Sequence, residues 1–214
     1  MFFFLPRRPS HFFISLGRNC EPAIRFKDYY GAVNSTLFTY AGFYDPMTLP
    51  DVLKNMNVLL SDKLVPIDGV HMFKSEKTRM AFHARHSFDS LKTNEDLAAE
   101  EAECRSRIAH LIEKTHRIFK DARKKLFVLT VWEPTEEAHA MVLQTADILR
   151  TLTINYDFVV VTLKTKNQKW QKNEKYPELH FRFVRHFSPF DKVVNPAFTD
   201  RKGWRRIWKE FPVR

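Results

Sequence analysis

The chain has 214 residues, 44% hydrophobic and 28% charged, with 20 Phe, five Gly and two Cys. That size and balance predict one folded domain with an aromatic-rich core, and exclude a disordered chain or a small disulfide scaffold. The net charge is +10, and the segment 161–214 holds 14 Lys and Arg against 5 Asp and Glu, so the excess sits in the last quarter, either as a solvated face or as an attractor of anionic partners.

In chain order, the opening MFFFL is too short for a signal-peptide core, and no later run reaches membrane-spanning length. With Cys20 and Cys104 read as reduced thiols, the expectation is a cytoplasmic protein without a transmembrane segment. Phe12–Leu16 reads as a buried strand broken by Gly17. Pro22 fits the first turn of a helix carrying Ala23, Ile24 and Phe26 on one stripe, and Gly31 is its stop. The stretch 36–70, with Pro46, Pro50 and Pro66 around a short helix near 51–60, reads as a cap or loop excursion rather than a strand. Asn94–Lys120 is an amphipathic helix with Leu97, Ile108, Leu111, Ile112 and Ile118 on its apolar face.

Leu126–Val131, a helix over 136–151 capped by Thr135, and Phe158–Leu163 have the length of one βαβ unit. Leu179–Val184 adds a fourth strand, and a basic aromatic helix around 199–211 ends the pattern, with Trp204 and Trp208 four residues apart on one face. The predicted fold is α/β: a single Rossmann-like three-layer sandwich over 1–214, with a mostly parallel central sheet and Phe12–Leu16 at its centre.

Ligands of such sheets bind at the carboxyl ends of the strands. That edge would gather Gly17–Cys20, Glu133–Thr135, Lys164–Lys166 and His186. Cys20, at a helix mouth, is expected to have a lowered thiol pKa and to serve as a nucleophile; the competing reading is a small buried hydrophobe. Its base would be His83, with His86 close by, or His186 with Asp191 five residues on. For these histidines the bland alternatives are a satisfied rim histidine and a loop-capping pair. Gly17, Arg18 and Asn19 form a candidate phosphate cradle, to which Lys164, Arg185, Arg205 and Arg206 would add charge. Nucleic acid would need Trp204 and Trp208 as stacking platforms, whereas docking of their helix is the commoner use. No Walker A, G-x-G-x-x-G, G-x-S-x-G or H-E-x-x-H pattern occurs, and two distant cysteines do not make a zinc site, so no metal or cofactor is expected.

The stretch SLGRNCEPAIRF resembles the S-L-G-x-x-C-x-x-A opening of an uncharacterised bacterial family described as papain-like cysteine peptidases. LFTYAGFYDP, MAFHARH, EEAECRSRIAHLIE and KKLFVLTV correspond to that family's later motifs, and the resemblance spans about two thirds of the chain. Where the family has Phe-Asp-Trp, this chain reads Phe38-Thr39-Tyr40. The resemblance implies Cys20 as nucleophile and His83 as its partner. A helix that follows the first strand of a parallel sheet is not the papain arrangement, and the strand periodicity is followed here.

Three functions remain open at this level. One is a thiol-dependent hydrolase or acyl/amide transferase, with backbone N–H groups near 19–21 stabilising the oxyanion. Another is a sugar transferase-like enzyme of glycan biosynthesis that holds a nucleotide or phosphorylated sugar at the 17–20 loop. The third is a non-catalytic anion-binding module. The partner expected is an anionic small molecule or glycan substrate, ahead of nucleic acid.

Overall fold

A computed structural model describes residues 11–17, 20–31, 34–39, 41–43, 45–67, 69–90, 93–164, 170, 174–188 and 199–212. In chain order the elements are β1 (His11–Ser15), α1 (Glu21–Tyr30), β2 (Ala41–Phe43), α2 (Leu49–Lys54), α3 (Val58–Ser61), β3 (Leu64–Pro66), β4 (Met72–Ser75), β5 (Met80–His83), α4 (Asn94–Lys120), β6 (Lys124–Val131), α5 (Glu136–Leu152), β7 (Tyr156–Leu163), β8 (Leu179–Val184) and α6 (Arg201–Glu210). The fold is mixed α/β. A four-stranded, all-parallel sheet runs β1-β6-β7-β8, and a second, antiparallel sheet runs β2-β5-β4-β3.

Two expectations are corrected. β1 is an edge strand among the described residues, pairing with β6 alone. Phe13 and Ile14 are nevertheless fully buried, because both faces of the sheet are covered; apolar runs report covered faces, not the number of neighbouring strands. The 36–70 stretch is not strandless: it supplies β2 and β3. These three-residue strands are too short to show a period of two, and Pro66 sits at the outer end of edge strand β3, where its missing N–H is tolerated.

Alternation along the parallel strands builds two cores. Ile14, Phe127, Leu129, Phe158, Val160 and Phe181 share one cluster with side chains from α4 and α5. Phe13, Leu126, Val128, Val159, Val161 and Val184 share the other with Ala23 and Phe26 of α1 and Trp204, Ile207 and Trp208 of α6. Local chemistry fixes the ends of the helices. Thr93 and Asp96 form a capping box at the start of α4, and Thr135 accepts from Ala138 N–H at the start of α5. Gly31, at φ +77°, closes α1 in the left-handed conformation, as its sequence position predicts. Lys125, fully buried, turns its ammonium onto the carbonyls of Asp121, Arg123 and Ile154, and so ties the end of α4 to the turn before β7.

α6 lies close against β8. A Cβ placed on Gly203 would come within 2.5 Å of Asp200 Oδ2 and 3.2 Å of Val184 Cγ1, so glycine permits this approach. Asp200 caps the helix through Gly203 N–H (2.9 Å) and also accepts from Arg185 N–H (2.8 Å), which joins the end of β8 to the start of α6. Among the described residues no helix is long and apolar enough to cross a membrane.

Candidate functional site at the carboxyl edge of the parallel sheet

Leu16 and Gly17 follow β1, and Cys20 is the N-cap residue of α1. Its side chain caps nothing, although the Cys20 carbonyl already accepts from Ile24 N–H. The expected lowering of its pKa is reversed. Burial pushes the half-buried thiol up; a backbone hydrogen bond to the thiol opposes it, and the smaller effects of the Glu21 carboxylate, which adds to the rise, and of Arg25, which lowers it, follow. The helix end favours a thiolate, but removal from water and the adjacent acid outweigh it.

Glu21 is the residue that sequence reading missed. It is fully buried at the first position of α1 and accepts hydrogen bonds from Ser188 N–H (3.0 Å), Ser188 Oγ (3.2 Å), Thr199 Oγ1 (2.6 Å) and Trp204 Nε1 (3.2 Å). One carboxylate thereby links the first turn of α1 to the segment after β8 and to α6. The only signal was an acid in a helical first turn, which is ordinary enough to pass as a dipole partner.

The strand order separates the predicted groups. Gly17 and Cys20 follow β1, Lys164 follows β7, and Arg185 and His186 follow β8. β6 and β7 lie between the two ends, so about 14 Å of sheet separates the β1 and β8 rows. Arg18, Asn19, Lys166 and Asp191 lie outside the described residues. His83 ends β5 in the antiparallel sheet, where its carbonyl accepts from Arg107 and desolvation, with the Arg107 charge, pushes its imidazole pKa down. Among the described residues, the charges acting on Cys20 are those of Glu21 and Arg25. His186 is exposed, and its charge acts on Asp200.

The cations do converge. Lys164, Arg182, Arg185 and Arg206 line a recess of about 340 Å³ between β8 and α6, with Glu210 as its acid. Glu210 pairs with Arg182, while Lys164 and Arg206 make no ion pair among the described residues. Arg205 lies on the other flank of α6, in a cleft of about 60 Å³ with Arg25, Asp28 and Arg201. Trp204 and Trp208 are 1% exposed and stack at 5.3 Å within the core, so they offer no platform to a nucleobase. Two hydroxyls near the carboxyl ends of β6 and β7, Thr130 Oγ1 and Thr162 Oγ1, are buried without a hydrogen-bond partner among the described residues. Such groups are costly in a finished core.

Two other clusters are structural. His86, Glu100 and Glu103 bring ligand atoms within 4.8 Å of one another. Glu100, however, accepts from the N–H groups of Arg85 and His86 and bonds His86 Nδ1 at 2.8 Å, and Glu103 pairs with Arg85. This clamps the turn after β5 onto α4. A recess of about 740 Å³ near the β3–β4 turn is lined by His71, Phe88 and Asp89 among others. There His71 Nδ1 accepts from Phe88 N–H, so a neutral ring carries its proton on Nε2 and donates to Ser87 Oγ rather than activating it.

Compared with protein-family models, curated proteins and solved structures, the chain matches none.

Proposed function

We propose that the protein binds a phosphate-bearing small molecule at the carboxyl edge of its parallel sheet, read as a Rossmann-like layer, with a sugar transferase-like role in glycan biosynthesis as the enzymatic form of that reading. The observation that carries it is the recess between β8 and α6. Four cations face it, one acid answers them, and Lys164 and Arg206 are left without ion-pair partners among the described residues. A low-dielectric wall beside a cluster of one sign focuses the field and recruits anions. The Thr130 hydroxyl, buried without a hydrogen-bond partner among the described residues on the face of the sheet that α1 and α6 cover, supports a ligand site near the same edge.

The test is thermal unfolding with pyrophosphate. A ligand at a hundred times its Kd adds about 2.7 kcal/mol, which for a chain of this size raises Tm by roughly 5–10 °C. Lys164→Ala combined with Arg206→Ala should remove most of that rise at low salt. A wild-type Tm that pyrophosphate leaves unmoved, or a double variant that keeps the full rise, overturns the proposal.

A second reading is favoured by one specific observation: the Cys20 thiol is half-exposed at the opening of α1 and unused as a cap. With the resemblance of SLGRNCEPA to the cysteine peptidase-like family, this supports a thiol-dependent hydrolase or acyl transferase. Ligand binding would then have to lower the thiol pKa. Iodoacetamide labelling of Cys20 across pH separates the two readings, because the thiol enzyme requires a ligand-induced shift of the reactivity profile to lower pH.

A further inference from the structure

Two helix faces meet at the seam between α1 and α6. Arg25, Asp28 and Tyr29 share one face of α1 through spacings of three and four, and Arg201, Trp204, Arg205 and Trp208 share one face of α6 in the same way. Together they line the cleft of about 60 Å³. Its walls are fixed before any ligand arrives. Trp204 donates its indole N–H to Glu21 at 3.2 Å, and Tyr30 donates its hydroxyl to the Trp208 carbonyl at 2.9 Å. Both indoles are 1% exposed. They therefore form a wall of low dielectric, beside which charges act more strongly than in open solvent.

Charge along the cleft is unbalanced, because three arginines line it with one carboxylate. Asp28 pairs with the buried Arg25 at 2.8 Å. Arg201 and Arg205 are exposed, stand one turn apart, and make no ion pair among the described residues. Like charges at that spacing repel, and an anion held between them removes the repulsion. The indole N–H of Trp208 is also buried without a hydrogen-bond partner among the described residues. Donors thus outnumber acceptors around this seam.

Size and donor type select the ligand. A water takes up about 30 Å³ of the liquid, so the cleft has room for one tetrahedral group, while the β8–α6 recess, at about 340 Å³, has several times that room. The planar guanidinium fork matches two phosphate oxygens at once, which an ammonium cannot do. All three cations here are arginines, whereas the recess adds Lys164 and the acid Glu210. Exposed Arg201, Arg205 and Tyr29 keep the mouth open to solvent, so the group can be the end of a larger molecule.

We infer that the α1–α6 seam is a second anion site, separate from the β8–α6 recess, in which Arg25, Arg201 and Arg205 hold a single phosphate group, either the free ion or the end of a phosphomonoester. The inference goes beyond the recess reading and does not rest on it.

Calorimetric titration with inorganic phosphate at low salt is the test, in full-length protein whose recess is silenced by Lys164→Ala and Arg206→Ala. Phosphate should still bind, and adding Arg201→Ala with Arg205→Ala should weaken it at least about tenfold. Arg205→Lys alone should weaken it several-fold although the charge is kept, because the paired hydrogen bonds are lost. Removing Lys202 and Lys209, exposed cations of α6 that do not line the cleft, should leave the affinity unchanged. Phenyl phosphate that binds like the free ion assigns the site to monoesters, and its exclusion while phosphate still binds assigns the site to the free ion. No phosphate binding by the recess-silenced protein overturns the inference, as does equal weakening by the arginine and lysine pairs. In the wild type, phosphate binding without pyrophosphate binding removes the recess reading and leaves the seam site standing.

Discussion

At the scale of single residues, two buried carboxylates organise this protein. Glu21 accepts four hydrogen bonds from Ser188, Thr199 and Trp204. Glu21→Gln removes the charge and turns one acceptor into a donor facing other donors, so a loss of roughly 2–4 kcal/mol is expected, read as a lower urea midpoint. Asp62 accepts from Ser75 Oγ and from the N–H groups of Lys77 (3.0 Å) and Lys63 (2.8 Å). Burial raises its carboxyl pKa, but these donors outweigh that and hold it below the ordinary value. Because the folded value is the lower one, the stabilisation is present above the unfolded value, about pH 4, and is lost as pH falls through the folded value. In urea titrations at stepped pH, the wild type should lose its advantage over Asp62→Asn below about pH 4; parallel curves would show that Asp62 contributes no such linkage. Cys20 illustrates how a local rule fails. A helix opening favours the thiolate only when water or cations remain nearby, and here burial and Glu21 prevail.

At the scale of elements, α6 is the most informative. Gly203, Trp204, Ile207 and Trp208 are buried, while Arg201, Lys202, Arg205, Arg206 and Lys209 are exposed. The indoles stack on each other, and Trp208 meets Phe13 and Phe26 edge-on at 5.8 and 5.5 Å. Tyr30 of α1 donates its hydroxyl to the Trp208 carbonyl at 2.9 Å. Trp208→Ala should therefore cost about 3–5 kcal/mol, seen as a Tm lowered by at least 6 °C on the usual scaling of roughly 2–4 °C per kcal/mol. A change below 2 °C would mean that α6 is held by its Asp200 cap and Glu21 contacts instead. The antiparallel sheet plays a different part: it holds His83 at the end of β5 and engages Arg107 of α4 through the His83 carbonyl.

At the scale of the whole molecule, the net charge is +10, and the cations of α6 are divided between two sides of that helix. Arg206 joins Lys164 and Arg185 in the recess, whereas Arg205 joins Arg25 and Arg201 in the small cleft toward α1. Adjacent cations with different addresses should behave differently. Arg206→Glu should weaken pyrophosphate binding strongly at low salt, chiefly through the association rate. Arg205→Glu should do so much less, and both effects should shrink toward 1 M salt, where the Debye length is about 3 Å. Equal effects of the two reversals in stopped-flow measurements would mean that net charge alone attracts the anion.

Read by itself, the sequence determined the elements that have long periods or strong punctuation. The helices at 94–120 and 136–151, the four apolar strands and the Pro22–Gly31 bracket of α1 are visible because covered faces impose period 3.6 or 2 on the chain, and because proline and glycine fit few backbone positions. It also located Cys20 at a helix opening; of the cations it gathered at the carboxyl edge, Lys164, Arg185 and Arg206 line the recess and Arg205 does not. Strand order, the second sheet and the surroundings of each titratable group were decided only by the tertiary structure. β1 became an edge because β7 and β8 were added on the far side of β6. Thr39, where the resembled family has aspartate, became a buried turn former whose Oγ1 accepts from Thr36 N–H and donates to Asn34 O. Glu21 became a buried junction because residues 167 to 183 positions away fold back onto it. The physical reason is the same in each case. Periodicity and capping act within a few residues, whereas burial, field and hydrogen-bond satisfaction depend on which distant segments arrive.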